Sequence, residues 1–124
     1  MKYLKYFESI DYLQSLCDDY LTYLKDNNIR VRVVNANTGV DEYAILLMGR
    51  FRLYNIKDDI YQFIKILRVN GYKPYIVPRV TFLNGNRIET KKISLGELLS
   101  RNDGFLSYNS QIEYIEVRIF IKKI

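Results

Sequence analysis

Tyr43-Ala44-Ile45-Leu46-Leu47-Met48-Gly49-Arg50-Phe51-Arg52-Leu53-Tyr54 decides the fold class. The run is rich in β-formers and carries no helical period, so it predicts a long strand over residues 43–54. Successive side chains of a strand point to opposite faces. Ile45, Leu47, Gly49, Phe51 and Leu53 then share one face, and Ala44, Leu46, Met48, Arg50, Arg52 and Tyr54 the other.

Upstream, Ile29–Val34 alternates with Ile29, Val31 and Val33 against Arg30 and Arg32, which predicts a half-buried strand. Before it, Leu13, Leu16, Cys17, Tyr20, Leu21 and Leu24 recur at the spacing of one helical face, predicting a helix over Asp11–Lys25. Asp11 with Gln14 has the form of a capping box, and Asn27-Asn28 supplies a stop. Residues 35–41 form a polar loop.

Downstream, Asn55 opens a helix over Ile56–Asn70 whose buried stripe is Ile56, Ile60, Phe63, Ile64 and Leu67, closed by Gly71. Tyr75–Leu83 reads as a strand that Pro78 confines to an edge or a bulge. Asn84-Gly85 signals a hairpin into a charged strand, Arg87–Ile93. Ser94-Leu95-Gly96-Glu97 matches a capping box for a short helix ending at Ser100. Arg101–Ser110 reads as a loop, and Gln111–Lys123 as a closing strand with Ile115, Val117, Ile119 and Ile121 inward. The expectation is one α+β domain spanning residues 1–124. It has a mainly antiparallel sheet with two longer helices and one short helix on one face, in the order α-β-β-α-β-β-α-β. Residues 1–8 would be a flexible or partner-contacting leader.

Composition bounds the chemistry. The chain of 124 residues is 48% hydrophobic and 27% charged, which suits one folded core. It contains no histidine, which excludes every mechanism needing imidazole, including Ser-His-Asp and Cys-His nucleophiles and histidine-bound zinc. The lone cysteine, Cys17, cannot form an internal disulfide, which favours a reducing, cytoplasmic setting. It lies in an apolar stripe and reads as a buried thiol. No apolar run approaches the ~20 residues that a membrane helix needs. No phosphate-cradling glycine motif is present, and no cofactor or metal is expected. Adjacent carboxylates at Asp18-Asp19 and Asp58-Asp59 diverge on a helix and make no metal clamp. The chain is therefore expected not to be an enzyme.

A net charge of +5 and a pI of about 9.3 suit an anionic partner. Strand alternation gathers much of that charge. If the apolar sets face the helices, then Arg30, Arg32, Arg50, Arg52, Arg79, Arg118 and Lys122 emerge on the other sheet face, among Tyr54, Tyr114 and Phe120. Arginine and tyrosine are enriched at protein interfaces, and the count of 12 tyrosines agrees. Arginine also pairs with phosphate while aromatic rings stack on bases. The first expectation is thus a protein-binding domain, or a self-associating one. The alternative is a nucleic-acid-binding module on the same face. Met48–Tyr54 departs from the RNP1 signature, because basic residues stand where stacking aromatics belong. A distant alternative is a metal-dependent nuclease around Glu89-Thr90-Lys91 with Asp41 or Asp59.

The opening Met1-Lys2-Tyr3-Leu4-Lys5-Tyr6-Phe7-Glu8 resembles the leader of small uncharacterised tailed-bacteriophage proteins. Asn55-Ile56-Lys57-Asp58-Asp59-Ile60, with Phe63, Ile64 and Leu67, is similar to their mid-chain helix. The resemblance implies a viral context, either a virion component or an accessory factor acting on the host. It implies no catalytic or binding residue.

Overall fold

The computed structural model describes residues 2–36, 41–98 and 113–124, with side chains from Ile10 onward except those of Leu53 and Tyr54. The elements are α1 (Lys2–Tyr20), α2 (Thr22–Asp26), β1 (Arg30–Asn35), β2 (Glu42–Phe51), α3 (Leu53–Val69), β3 (Tyr72–Pro74), β4 (Arg79–Asn84), β5 (Arg87–Lys92), α4 (Leu95–Leu98) and β6 (Glu113–Lys123). This is the expected α+β class. Every strand pairing is antiparallel, and the six-stranded sheet runs β1-β2-β6-β4-β5 with β3 also beside β6.

Helix formation starts earlier than the periodicity predicts. Residues 2–8 are the first turns of α1, and Asp11 and Gln14 stand mid-helix rather than at a cap. The expected single helix is also interrupted at Leu21. The Thr22 hydroxyl donates to the Asp18 carbonyl at 2.7 Å. That back-bond competes with the helical ladder and bends the helix. Asn28 ends α2 at φ 63 and Gly71 follows α3 at φ 88, both left-handed as the stop signals imply.

The strand expected over residues 43–54 is shorter. It ends at Phe51, Arg52 is the N-cap of α3, and Leu53 and Tyr54 are helical. The Asn55 N–H already donates to the Arg52 carbonyl at 3.0 Å, so the first helical turn closes before the expected start. The strand expected over residues 75–83 is split. β3 and β4 both lie along β6, and residues 75–78 bulge out between them with Pro78 inside the excursion. Ile76, which an unbroken alternation with Val80 and Phe82 would turn inward, is 39% exposed there. Because β4 sits between β6 and β5, Pro78 marks a bulge and not an edge. In α4, Ser94 Oγ accepts from the Glu97 N–H at 3.1 Å, the first half of the capping box. The end of that helix and the Arg101–Ser110 loop lie outside the described residues.

One core joins the layers. Leu13, Leu16, Cys17, Leu21 and Leu24 of the N-terminal helical segment and Ile56, Ile60, Phe63, Ile64 and Leu67 of α3 pack with Val31, Val33, Ile45, Leu47, Val80, Phe82, Val117, Ile119 and Ile121 of the sheet. Burial of these side chains supplies most of the driving force for the fold.

Candidate binding face

Register determines which side chains share the face away from the core. Arg32 stands opposite Leu46, Leu46 opposite Arg118, Arg118 opposite Arg79, and Arg79 opposite Lys92. This is one continuous row across β1, β2, β6, β4 and β5. At ~4.8 Å per strand it extends about 19 Å. A second row runs Glu42, Lys122, Lys73. Arg30 and Phe120 occupy the same face, opposite Met48 and Ala44 respectively.

The row is electrostatically unfavourable in isolation. Arg118, Arg79 and Lys92 meet as direct cross-strand neighbours, and like charges so placed repel. One carboxylate relieves part of this, since Arg118 Nε donates to Glu116 Oε1 at 3.0 Å. Arg32, Arg79 and Lys92 form no ion pair with another described residue. Lys122 lies 5.7 Å from the centre of the Tyr75 ring, a weak cation–π contact. Ala44 and Leu46 are buried on this face although they stand outside the main core. Thr81 and Thr90 meet here through their hydroxyls at 3.2 Å.

The structure thus brings together Arg30, Arg32, Arg79, Arg118, Phe120 and Lys122, as alternation predicts. It removes four expected members. Tyr114 is 1% exposed and sits in the core, with its ring 6.2 Å from that of Phe51. A bulge is the cause. Met48 pairs with Glu116 and Phe51 with Tyr114, so Gly49 and Arg50 together oppose Ile115. On the other side Thr81 pairs with Glu116 and Phe82 with Tyr114, which leaves Ile115 as an extra residue. One extra residue inverts the faces beyond it. Ile115, expected inward, is accordingly only half-buried. Arg50 stands at the bulge, 69% exposed, and donates to Glu113 Oε2 at 3.0 Å. It lines an open cleft of about 680 Å³ with Asn28, Met48 and Glu116, beside the row and not in it. Arg52 has left the sheet for the α3 N-cap, and Tyr54 belongs to α3.

Lys92 is the member that sequence reading missed. The expected Asn84-Gly85 turn, with these as its central residues, would pair Leu83 with Asn86 and set Arg79 against Thr90, but the loop lies one residue further on. A two-residue Gly85-Asn86 loop pairs Asn84 with Arg87, and counting back along the ladder places Lys92 against Arg79.

Other candidates have structural roles. Cys17 is buried, and burial with the Asp18 charge beside it pushes the thiol up to about 12. A thiol so shielded is inert as a nucleophile. The Lys25 ammonium pairs with Asp18 and holds its carboxyl below the usual carboxylate range. Burial, then the Asp58 charge, raises the Asp59 carboxyl. Glu89 accepts from Asn84 Nδ2 at 3.2 Å, and ladder parity puts Glu89 and Lys91 on the side of β5 opposite the row. Among the described residues no three metal-ligating side chains cluster, and no helix is long and apolar enough to cross a membrane.

Comparison with protein-family models, curated proteins and solved structures finds no match for this chain.

Proposed function

We propose that this protein is a non-catalytic binding domain that docks an acidic surface of a partner protein on the outer face of its sheet. The observation that carries this reading is the alignment of Arg118, Arg79 and Lys92 as direct neighbours, with Arg32 in the same row. Such a row repels itself until anions neutralise it, so it suits a partner better than it suits the free protein. Protein is favoured over single-stranded nucleic acid by what the face lacks. Of the aromatic side chains expected to stack on bases, Tyr114 is in the core and Tyr54 is on a helix, which leaves Phe120, and the one aromatic the structure adds, Tyr75, is half-buried beside Lys122. Arginines set beside the half-buried apolar side chains of Met48 and Phe120 also match the composition of a protein interface. In the viral setting that the leader's resemblance implies, the partner would be a virion subunit or a host protein.

Binding of labelled poly-L-glutamate and of labelled single-stranded DNA, at low and at physiological salt, tests the reading. Glutamate polymer should bind, and Arg79→Glu should abolish it. DNA bound tightly in preference to the polymer would transfer the face to nucleic acid. Binding of neither at low salt would overturn the proposal.

A further inference from the structure

The two ends of the sheet are finished differently. At β1, a side chain of α1 occupies the free edge: Gln14 Oε1 accepts from the Val33 N–H at 3.0 Å, and Gln14 Nε2 donates to the Val31 carbonyl at 3.3 Å. One amide thereby substitutes for a neighbouring strand. At β5 nothing comparable stands among the described residues, where β5 pairs with β4 alone. Its pairing over Arg87–Lys92 is regular, without a bulge or a proline. The Ile93 N–H donates to the Pro78 carbonyl at 3.1 Å, which continues the ladder and sets its phase. In that phase Arg87, Glu89 and Lys91 turn their backbone groups toward β4, while Ile88, Thr90 and Lys92 turn theirs outward. An unprotected edge of this kind is a template for another strand.

We propose that the β5 edge accepts an extended acidic segment of the partner as an added antiparallel strand. The inference rests on the acidic-partner reading of the outer face and specifies how that partner is gripped. Charge selects the occupant. Arg87, Lys91 and Lys92 line the edge, and Glu89 already accepts from Asn84. A second copy of this strand is disfavoured by charge, because each edge carries Arg87, Lys91 and Lys92 against Glu89 alone, and pairing centred on Glu89 sets Arg87 of one copy against Lys91 of the other and the two Glu89 carboxylates against each other. A strand carrying carboxylates meets the opposite situation, attractive at both ends. Main-chain hydrogen bonds to Ile88, Thr90 and Lys92 would supply affinity, and the cations specificity. Lys92 belongs to both features: it ends the row on the outer face and presents its backbone at the edge.

The test is amide hydrogen exchange, residue by residue, on the whole ¹⁵N-labelled protein with a synthetic peptide of alternating Glu and Val. At saturating peptide, exchange at Ile88, Thr90 and Lys92 should slow by about tenfold or more, while Arg87, Glu89 and Lys91 change little. Thr90→Pro removes one outward N–H and should abolish the protection, whereas Thr90→Ala should keep it. Lys91→Glu/Lys92→Glu, which leaves the backbone untouched, should abolish it as well. If the peptide binds and perturbs the surroundings of Arg32 and Arg118 while the three edge amides still exchange freely, the edge inference is overturned and the face reading stands. If neither this peptide nor poly-L-glutamate binds at low salt, both are overturned.

Discussion

Gln14 acts on Val33 as a strand would: its side-chain oxygen accepts the Val33 N–H at 3.0 Å, nineteen residues away in sequence. With the reciprocal bond to the Val31 carbonyl, the amide satisfies the backbone at the middle of an edge strand. Gln14→Ala leaves both backbone groups without that partner and should destabilise the fold by about 1–3 kcal/mol, read from urea unfolding. It also opens the β1 edge, so sedimentation should show concentration-dependent association that the wild type lacks. Gln14→Glu keeps the acceptor and loses the donor, and should fall between the two.

Gly49 permits the bulge. A Cβ there would lie 3.0 Å from the Asn28 carbonyl oxygen, in the turn that leads into β1. Gly49→Ala must push that turn away from β2. A loss of about 1–2 kcal/mol is expected, together with shifts in the amide resonances of Asn28 and Ile29.

Arg79→Glu separates stability from binding. A carboxylate at this position replaces two repulsive cross-strand neighbours, Arg118 and Lys92, by attractive ones. The melting temperature should rise, by the equivalent of about 0.5–1 kcal/mol at low salt, with the gain shrinking as salt is added. Poly-L-glutamate binding should disappear in the same variant. A purely solvated face would give the first effect without any binding to lose.

The Tyr114 hydroxyl is buried without a hydrogen-bond partner among the described residues, and burial together with the Glu97 charge pushes it up to about 12. Removing an unsatisfied polar group is not costly. Tyr114→Phe should therefore be neutral or stabilising by about 1 kcal/mol, since the contacts of the ring with Phe51 and Phe82 are kept. Denaturant midpoints for the two proteins would decide it.

Cys17 makes stability fall in alkali. Its thiol ionises near 9.0 when exposed and only at about 12 in the fold. Below pH 9 both states hold the proton and the fold keeps its full stability. Above it the unfolded chain releases the proton first, so stability is lost progressively as pH rises toward 12, by about 1 kcal/mol at pH 10. Cys17→Ala should flatten part of that slope. The native thiol should resist alkylation at pH 8 and react fully once the chain is unfolded.

Much of the fold is legible along the chain because it depends on local period. The stripe from Ile56 to Leu67, the alternation from Arg30 to Val33 and the Asn84-Gly85 hairpin each pair a short-range pattern with one physical cause. The outer-face positions of Arg30, Arg32, Arg79, Arg118, Phe120 and Lys122 follow from the same alternation. The pattern fails where the count is broken from outside the strand. Nothing near Tyr114 in sequence announces that Ile115 is an extra residue or that Arg50 stands in a bulge, and the fate of Arg52 and Tyr54 depended on where β2 stopped.

The sequence by itself determined the class of the domain, the absence of imidazole chemistry and the sign of the charge on the sheet face. These depend on composition and on side-chain periods of two and 3.6, which need no partner. Only the tertiary structure decided that the cations form a single row, that Tyr114 turns inward, and that Gln14 closes one edge while β5 stays open among the described residues. Those are relations between strands distant in sequence, set by register and strand order, and a one-residue bulge is enough to change them.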